Sequence, residues 1–290
     1  MGAVGSTLAR RALGRQLHVL RKKAGFSQGQ AAGVLGVSTQ TMGRLEEGVA
    51  ARATDLYMNA LCDKYKVTDE KRRMILHLAK EVRTIKRNGG GWWRADADRE
   101  PDAFDPRAVL EDTAVRLTAW GTMLLPNIVR TVDYCRAVVW TESPNLPSDQ
   151  VELRVDDAMR QRRRLDDDSF TARIFLSEAA IREELGGPGV MAEQRRHLAE
   201  LGRRPNVSVR IVPFNCRNHI GALVNPFSLM EFPMLPQSKL TELPVVYLEE
   251  YVGDLYLERS EEVDRYKAVT TELHRVALDE DDSRKLITRS

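Results

Sequence analysis

Residues 27–48, reading SQGQAAGVLGVSTQTMGRLEEG, constrain this chain more than any other stretch. Ser27 and Ser38 each stand where a side-chain oxygen can accept from the unpaired N–H groups of a helix's first turn. Gly36 permits the left-handed backbone that ends a helix sharply, and Gly48 can stop the next one in the same way. Ala32, Leu35, Val37, Met42 and Leu45 fall where two crossing helices share a small core. The spacing predicts two short helices around a tight turn. The outer side of the second then carries Thr39, Gln40, Gly43, Arg44 and Glu47. A helix of this size fits the major groove of DNA, and its N-terminal residues reach base edges. An ordinary helical hairpin in a packed bundle would satisfy half of these observations.

Charge weighs against the bundle. Residues 1–90 hold 17 Lys and Arg against 7 Asp and Glu, near +10, whereas residues 91–290 hold 27 against 35, a net of −8. The overall +2 hides a basic head and an acidic body. A basic head suits a phosphate backbone, which would repel an acidic body.

At 290 residues the length suggests about two domains, and 42% hydrophobic content supports real cores. No apolar run approaches the roughly 20 residues that span a bilayer. No apolar signal core opens the chain, and no membrane partner is expected. Met1-Gly2-Ala3-Val4-Gly5-Ser6 matches the loose N-myristoylation pattern, which a short start matches easily by chance. Cys62, Cys135 and Cys216 are odd in number and far apart, which argues against a disulfide framework and for a reducing, cytoplasmic setting.

The division expected is a five-helix, all-α head at 1–88, a linker at 89–105 and an α+β body around one sheet at 106–290. Leu13, Leu17, Leu20 and Ala24 mark the first helix, closed by Gly25. A fourth follows with Leu56, Ala60, Leu61 and Tyr65 facing inward, and Thr68 caps a fifth. Asn88-Gly89-Gly90-Gly91 reads as a joint, and Trp92-Trp93 as rings that pin the linker onto the body. In the body, strands are expected near 115–120, 172–176, 207–213, 227–232, 245–249 and 254–257. Helices are expected at 131–142, 149–166, 190–203 and 260–278, with a short one at the end.

Leu17…Leu20-Arg21…Gly25-Phe26-Ser27-Gln28, Ala32…Leu35-Gly36-Val37-Ser38 and Arg44-Leu45-Glu46…Gly48 resemble the lambda-repressor-like, XRE-type DNA-binding head. The body resembles the C-terminal domain of unknown function carried by the large actinobacterial family of WhiJ-like regulators. That likeness rests on Trp92-Trp93, on the stretch 124–131 with Asp133-Tyr134, on 186–191, on 204–209 and on Val212-Pro213-Phe214. It continues through His219…Gly221…Pro226-Phe227, 246–249 and 253–258. It implies a transcriptional regulator, often encoded beside a small protein in an antitoxin-like arrangement. The family usually has Gly and Gln where Asn127 and Arg130 stand. Gly29, Gly33 and Gly43 replace better helix formers, each at about 0.5–1 kcal/mol relative to alanine.

For DNA, Ser38, Thr39, Gln40 and Thr41 open the reading helix; Gln40 can pair two-pronged with adenine and the Thr39 methyl can touch thymine. Arg44, one turn on, reaches guanine or phosphate. Gln28 faces a phosphate in proteins this head resembles and can also buttress the reading helix. Arg21, Lys22, Lys23 and Arg52 are expected to supply sequence-independent phosphate attraction. A single head makes few contacts, so a homodimer on half-sites about one helical turn apart is expected.

The body offers less. Cys216 and His219 lack the second pair of ligands that zinc needs, so no metal is expected. Arg160–Arg164 followed by Asp166-Asp167-Asp168 reads as a solvated helix end with local ion pairs. Glu178, Glu183 and Glu184 have no placed partner for acid–base work. Gly186-Gly187-Pro188-Gly189 lacks the ending of a phosphate-binding loop. No catalytic residue and no cofactor are assigned. Three readings remain: a sequence-specific regulator whose body dimerises or senses a signal, an antitoxin-like partner of a small neighbouring protein, and a catalytic body localised by its head.

Overall fold

A computed structural model describes residues 8–49, 53–84, 92–95, 106–236, 238–251 and 253–290. Arg52, the 88–91 joint, the 1–6 pattern and the side chains of Trp92 and Trp93 lie outside the described residues. The helices α1 (Leu8–Lys23), α2 (Gln28–Leu35), α3 (Thr39–Glu46), α4 (Asp55–Tyr65) and α5 (Asp69–Thr84) come first. Then follow β1 (Trp92–Ala95), α6 (Pro106–Thr113), β2 (Arg116–Gly121), α7 (Val132–Glu142), α8 (Ser148–Arg162) and β3 (Thr171–Ser177). After them come α9 (Glu178–Arg182), α10 (Pro188–Leu201), β4 (Val207–Val212), β5 (Phe227–Glu231) and β6 (Val245–Glu250). The chain ends with β7 (Gly253–Leu257), α11 (Ser260–Val276) and α12 (Glu280–Arg289).

These elements form two compact units. The first is Met1–Leu110 with Pro233–Leu243 and Val252–Glu258; the second is Glu111–Phe232, Pro244–Tyr251 and Arg259–Ser290. The linear division at 88 and 105 gives the body two late segments that in fact pack with the head.

In the first unit, Leu13, Leu17, Leu20, Ala32, Leu35, Met42, Leu45, Met58, Leu61, Cys62, Ile75 and Leu78 share one core. The capping residues act as their chemistry suggests. Ser27 opens α2 in a capping box with Gln30, Ser38 and Thr54 cap α3 and α4, and the Thr68 hydroxyl accepts from Lys71 N–H at 3.4 Å. Leu56 departs from expectation, being 76% exposed. The inner stripe of α4 is Met58, Leu61, Cys62 and Tyr65, and Leu56, two residues before Met58, falls on the far side of the helix. β1, in the stretch read as linker, pairs antiparallel with β7 from Trp92↔Tyr256 to Ala95↔Gly253.

The second unit is α+β around a mixed sheet in which the strand order is β6-β5-β2-β3-β4. β2, β3 and β4 are parallel, with Leu117 opposite Ala172 and Ile174 opposite Val209. β5 runs antiparallel to β2 and β6 antiparallel to β5. β2 and β4 bury all but one residue each and β3 buries Ala172, Ile174, Phe175 and Leu176, which is why these strands read as mainly branched and aromatic stretches. Gln194 is fully buried; its amide donates to the Val129 carbonyl at 2.8 Å and accepts from Thr131 N–H at 2.7 Å. The edge of β4 is closed, since Ile211 N–H donates to the Ser283 hydroxyl and its carbonyl accepts from Leu278 N–H, both at 2.9 Å. Among the described residues, no helix is long and apolar enough to cross a membrane.

Candidate nucleic-acid interface

α3 is built to show one face and anchor the other. Its Ser38 cap accepts from Thr41 N–H at 3.1 Å and lies 2.9 Å from the Thr41 hydroxyl. Thr39, Gln40, Thr41 and Arg44 are exposed together, while Met42 and Leu45 are buried in the core. The turn before it is fixed by Gly36 at φ 62°, whose N–H closes on Gly33, while Val37 N–H reaches the Ala32 carbonyl at 3.1 Å.

The inner end of α3 carries Glu46, which ties three helices. Its carboxylate accepts from Arg21 Nε at 2.5 Å and Nη2 at 2.9 Å on α1, and from Gln28 Nε2 at 3.1 Å on α2. His18 Nδ1 stands 3.1 Å away, and Arg21 also donates to the Phe26 carbonyl at 2.8 Å. Burial pushes the Glu46 carboxyl up, but hydrogen bonds and charge from Arg21 and His18 outweigh it and hold the group below its ordinary value. The Arg21 guanidinium is raised by its hydrogen bond to Glu46.

This changes the role expected for Arg21. It is 4% exposed and engaged on both prongs, so it holds α3 rather than reaching a phosphate. Gln28 does buttress α3, through Glu46. Lys22 and Lys23 are exposed in the last turn of α1, open to solvent as phosphate contacts require. Glu46 escaped sequence reasoning; the available signal was an acid directly beside the core position Leu45.

α1 also approaches α3 closely. A β-carbon on Gly14 would sit 2.6 Å from the Leu45 carbonyl oxygen and closer still to that of Glu46. One on Gly48, whose φ is +68°, would meet Arg11 Cα at 2.7 Å.

Residues 12–74 match the family described as a helix-turn-helix domain, and residues 104–289 match the domain of unknown function DUF5753. The second match covers well over half of the chain. The chain belongs to the DUF5753 family. No curated protein and no solved structure matches it. The helix-turn-helix makes the head a DNA-binding unit.

Within the DUF5753 domain, the basic run is held locally. Arg160 pairs with Asp157 at 3.0 Å, Arg162 donates to the Arg130 carbonyl, and Arg164 reaches Asp167 at 2.8 Å and the Ala114 carbonyl at 2.9 Å. Arg130, one of the departures from the family pattern, is buried and donates to the Leu125 carbonyl at 2.7 Å. Glu178 accepts from Phe214 N–H at 2.8 Å and pairs with Arg182, bracing the loop after β4. Cys216 is a free thiol, and among the described residues no three His, Cys, Asp or Glu gather as a metal site would need. An open cavity of about 320 Å³ lies between the start of α7 and the outer face of α10. Arg162, Arg196, His197, Glu193 and Glu200 line it. Burial, with the charge of Arg162, lowers the pKa of His197.

Proposed function

We propose that this protein is a cytoplasmic, sequence-specific transcription regulator that reads its operator with the outer face of α3. The observation that carries the reading is the exposed row Thr39, Gln40, Thr41 and Arg44, on a helix whose inner end is fixed by Glu46 to two other helices. Side chains held on a rigid support reach base edges at little ordering cost. Lys22 and Lys23 add phosphate contacts that carry no sequence information. The protein acts as a symmetric dimer, because one head supplies too few contacts for tight specific binding. The DUF5753 domain dimerises or senses and performs no catalysis, and its charged cavity on α10 suits a small polar signal.

Selection of duplexes from a random pool by the full-length chain tests this reading. One recurring motif is expected. Gln40→Ala and Arg44→Ala should each weaken binding to that motif by about 1–3 kcal/mol, while Lys22→Ala should weaken all duplexes alike and lower the salt slope by about one. Equal retention of every sequence at moderate salt would overturn the assignment.

A further inference from the structure

Arg11 and Arg15 stand one turn apart on α1, with side chains only 4% and 16% exposed. Two guanidiniums drawn out of water side by side repel each other, and burial lowers the pKa of both. Their counter-charges come from far along the chain. Glu242 Oε1 lies 2.7 Å from Arg15 Nη2 and 3.2 Å from Arg11 Nε, and Glu258 Oε1 lies 3.8 Å from Arg11 Nη2. Both carboxylates are themselves buried to within a tenth. A second tie sits at the end of α3, where Ser238 N–H donates to the Glu47 carboxylate at 3.1 Å. The segment is braced internally, with Leu235 N–H on the Leu240 carbonyl at 2.8 Å and Met234 bridged to Thr241. Arg11 in turn is the residue whose backbone leaves Gly48 no room for a side chain.

We propose that Pro233–Leu243, with Glu258, is a charged latch that holds the carboxy end of α3 in its reading position, so that DNA selectivity depends on the connection between β5 and β6. The proposal rests on α3 being the DNA-reading helix. The latch positions the helix rather than masking it: with the latch in place, Thr39, Gln40, Thr41 and Arg44 all remain exposed. It also joins the two functions of the chain, since the residues that neutralise α1 are supplied from between and just after strands of the DUF5753 region.

The test compares full-length wild type with Glu242→Gln and Glu47→Ala. Amide hydrogen exchange is read in α1 and α3 with α10 as internal reference, and affinity is read for the selected operator and for a scrambled duplex. Glu242→Gln is expected to speed exchange in α1 and α3 by about a hundredfold or more with α10 unmoved. It should also lower operator affinity about tenfold, with the scrambled duplex held as before. Should that variant fail to fold, Glu47→Ala decides: the latch requires weaker operator binding, whereas a carboxylate that merely repels DNA would on removal tighten binding to every duplex. Unchanged exchange overturns the latch, as does faster exchange with an unaltered ratio of operator to scrambled affinity. A wild-type chain that prefers no sequence sinks the regulator reading instead, and the exchange result then judges the latch alone.

Discussion

The two units bury arginine in different ways. In the first, Arg11, Arg15 and Arg21 are drawn from water against carboxylates: Glu242, Glu258 and Glu46. In the second, Arg130 and Arg210 are buried against backbone carbonyls: Leu125 for one, Leu278 and Ala277 for the other. A carbonyl oxygen keeps its state at every pH, and it belongs to backbone that the fold has already placed. A carboxylate titrates, and it sits on a side chain that must itself be held. The buried arginines of the first unit therefore carry switchable stability around the DNA-reading helix, whereas those of the second are held chiefly by groups that do not titrate.

The contrast is tested most severely at Glu46. Glu46→Ala leaves Arg21 buried without its counter-charge and should destabilise the first unit by about 3–5 kcal/mol in denaturant titrations. The sign of its pH dependence follows from the lowered carboxyl. The folded group ionises more easily than its ordinary value near 4.5. Its contribution is thus complete above that value and is lost as pH falls through the lowered one. The gap between wild type and Glu46→Ala should therefore shrink steadily on acidification below about pH 4.5. A gap constant down to pH 3 would show that the pair does not titrate as described and would break the comparison.

Arg210→Met sharpens it from the other side. The substitution keeps the buried stem but takes the Arg210 donors from the Leu278 and Ala277 carbonyls, the first of which keeps only the longer 3.4 Å bond from the Ser283 hydroxyl, at about 1–3 kcal/mol. The carbonyls do not ionise, but the Glu280 carboxyl is held below its ordinary value by its hydrogen bond to Ser208 and, in smaller part, by the charge of Arg210, so the loss should ease only slightly on acidification. A loss as steeply pH-dependent as that of Glu46→Ala would break the contrast between the units.

How far sequence reveals these features depends on chain separation. Ser27, Gly36 and Ser38 act on backbone within four residues, and their roles in capping and turning are plain from spacing. The strands of the second unit were legible because β2, β3 and β4 are largely buried and rich in branched and aromatic residues, with Thr118, Arg173, Ser208 and Arg210 as the polar interruptions. β1 was missed because four residues carry no period of their own and become a strand only by pairing with β7. Leu56 was misplaced because α4 has apolar or aromatic residues at 56, 57, 58, 60, 61, 62 and 65, enough for two stripes; the neighbours choose between them. Arg21 looked like a phosphate contact because a basic residue beside Lys22 and Lys23 is usually solvated. Only the fold brings it to an acid 25 residues away. Glu242 lies 227 residues from Arg15, beyond the reach of any local pattern.

The smallest expected effect concerns the glycines of the head, and it carries a change of sign. Replacing a helical glycine by alanine ordinarily stabilises by about 0.5–1 kcal/mol, because the unfolded chain loses freedom. At Gly33 nothing lies within 4 Å of the added methyl, so Gly33→Ala should raise stability by about that amount and stiffen α2. At Gly14 the same methyl would press into the Leu45 and Glu46 carbonyls, which are backbone and cannot swing aside. Gly14→Ala should therefore destabilise by about 1–3 kcal/mol and push α1 away from the end of α3. The opposed pair separates two meanings of glycine in one small unit. At Gly33 it is a removable weakness, whereas at Gly14 it is the space that lets α1 present Arg11, Arg15 and Arg21 to their carboxylates. If both substitutions stabilise, α1 and α3 are not in close contact, and the buried charges attributed to the first unit lose the scaffold that aligns them.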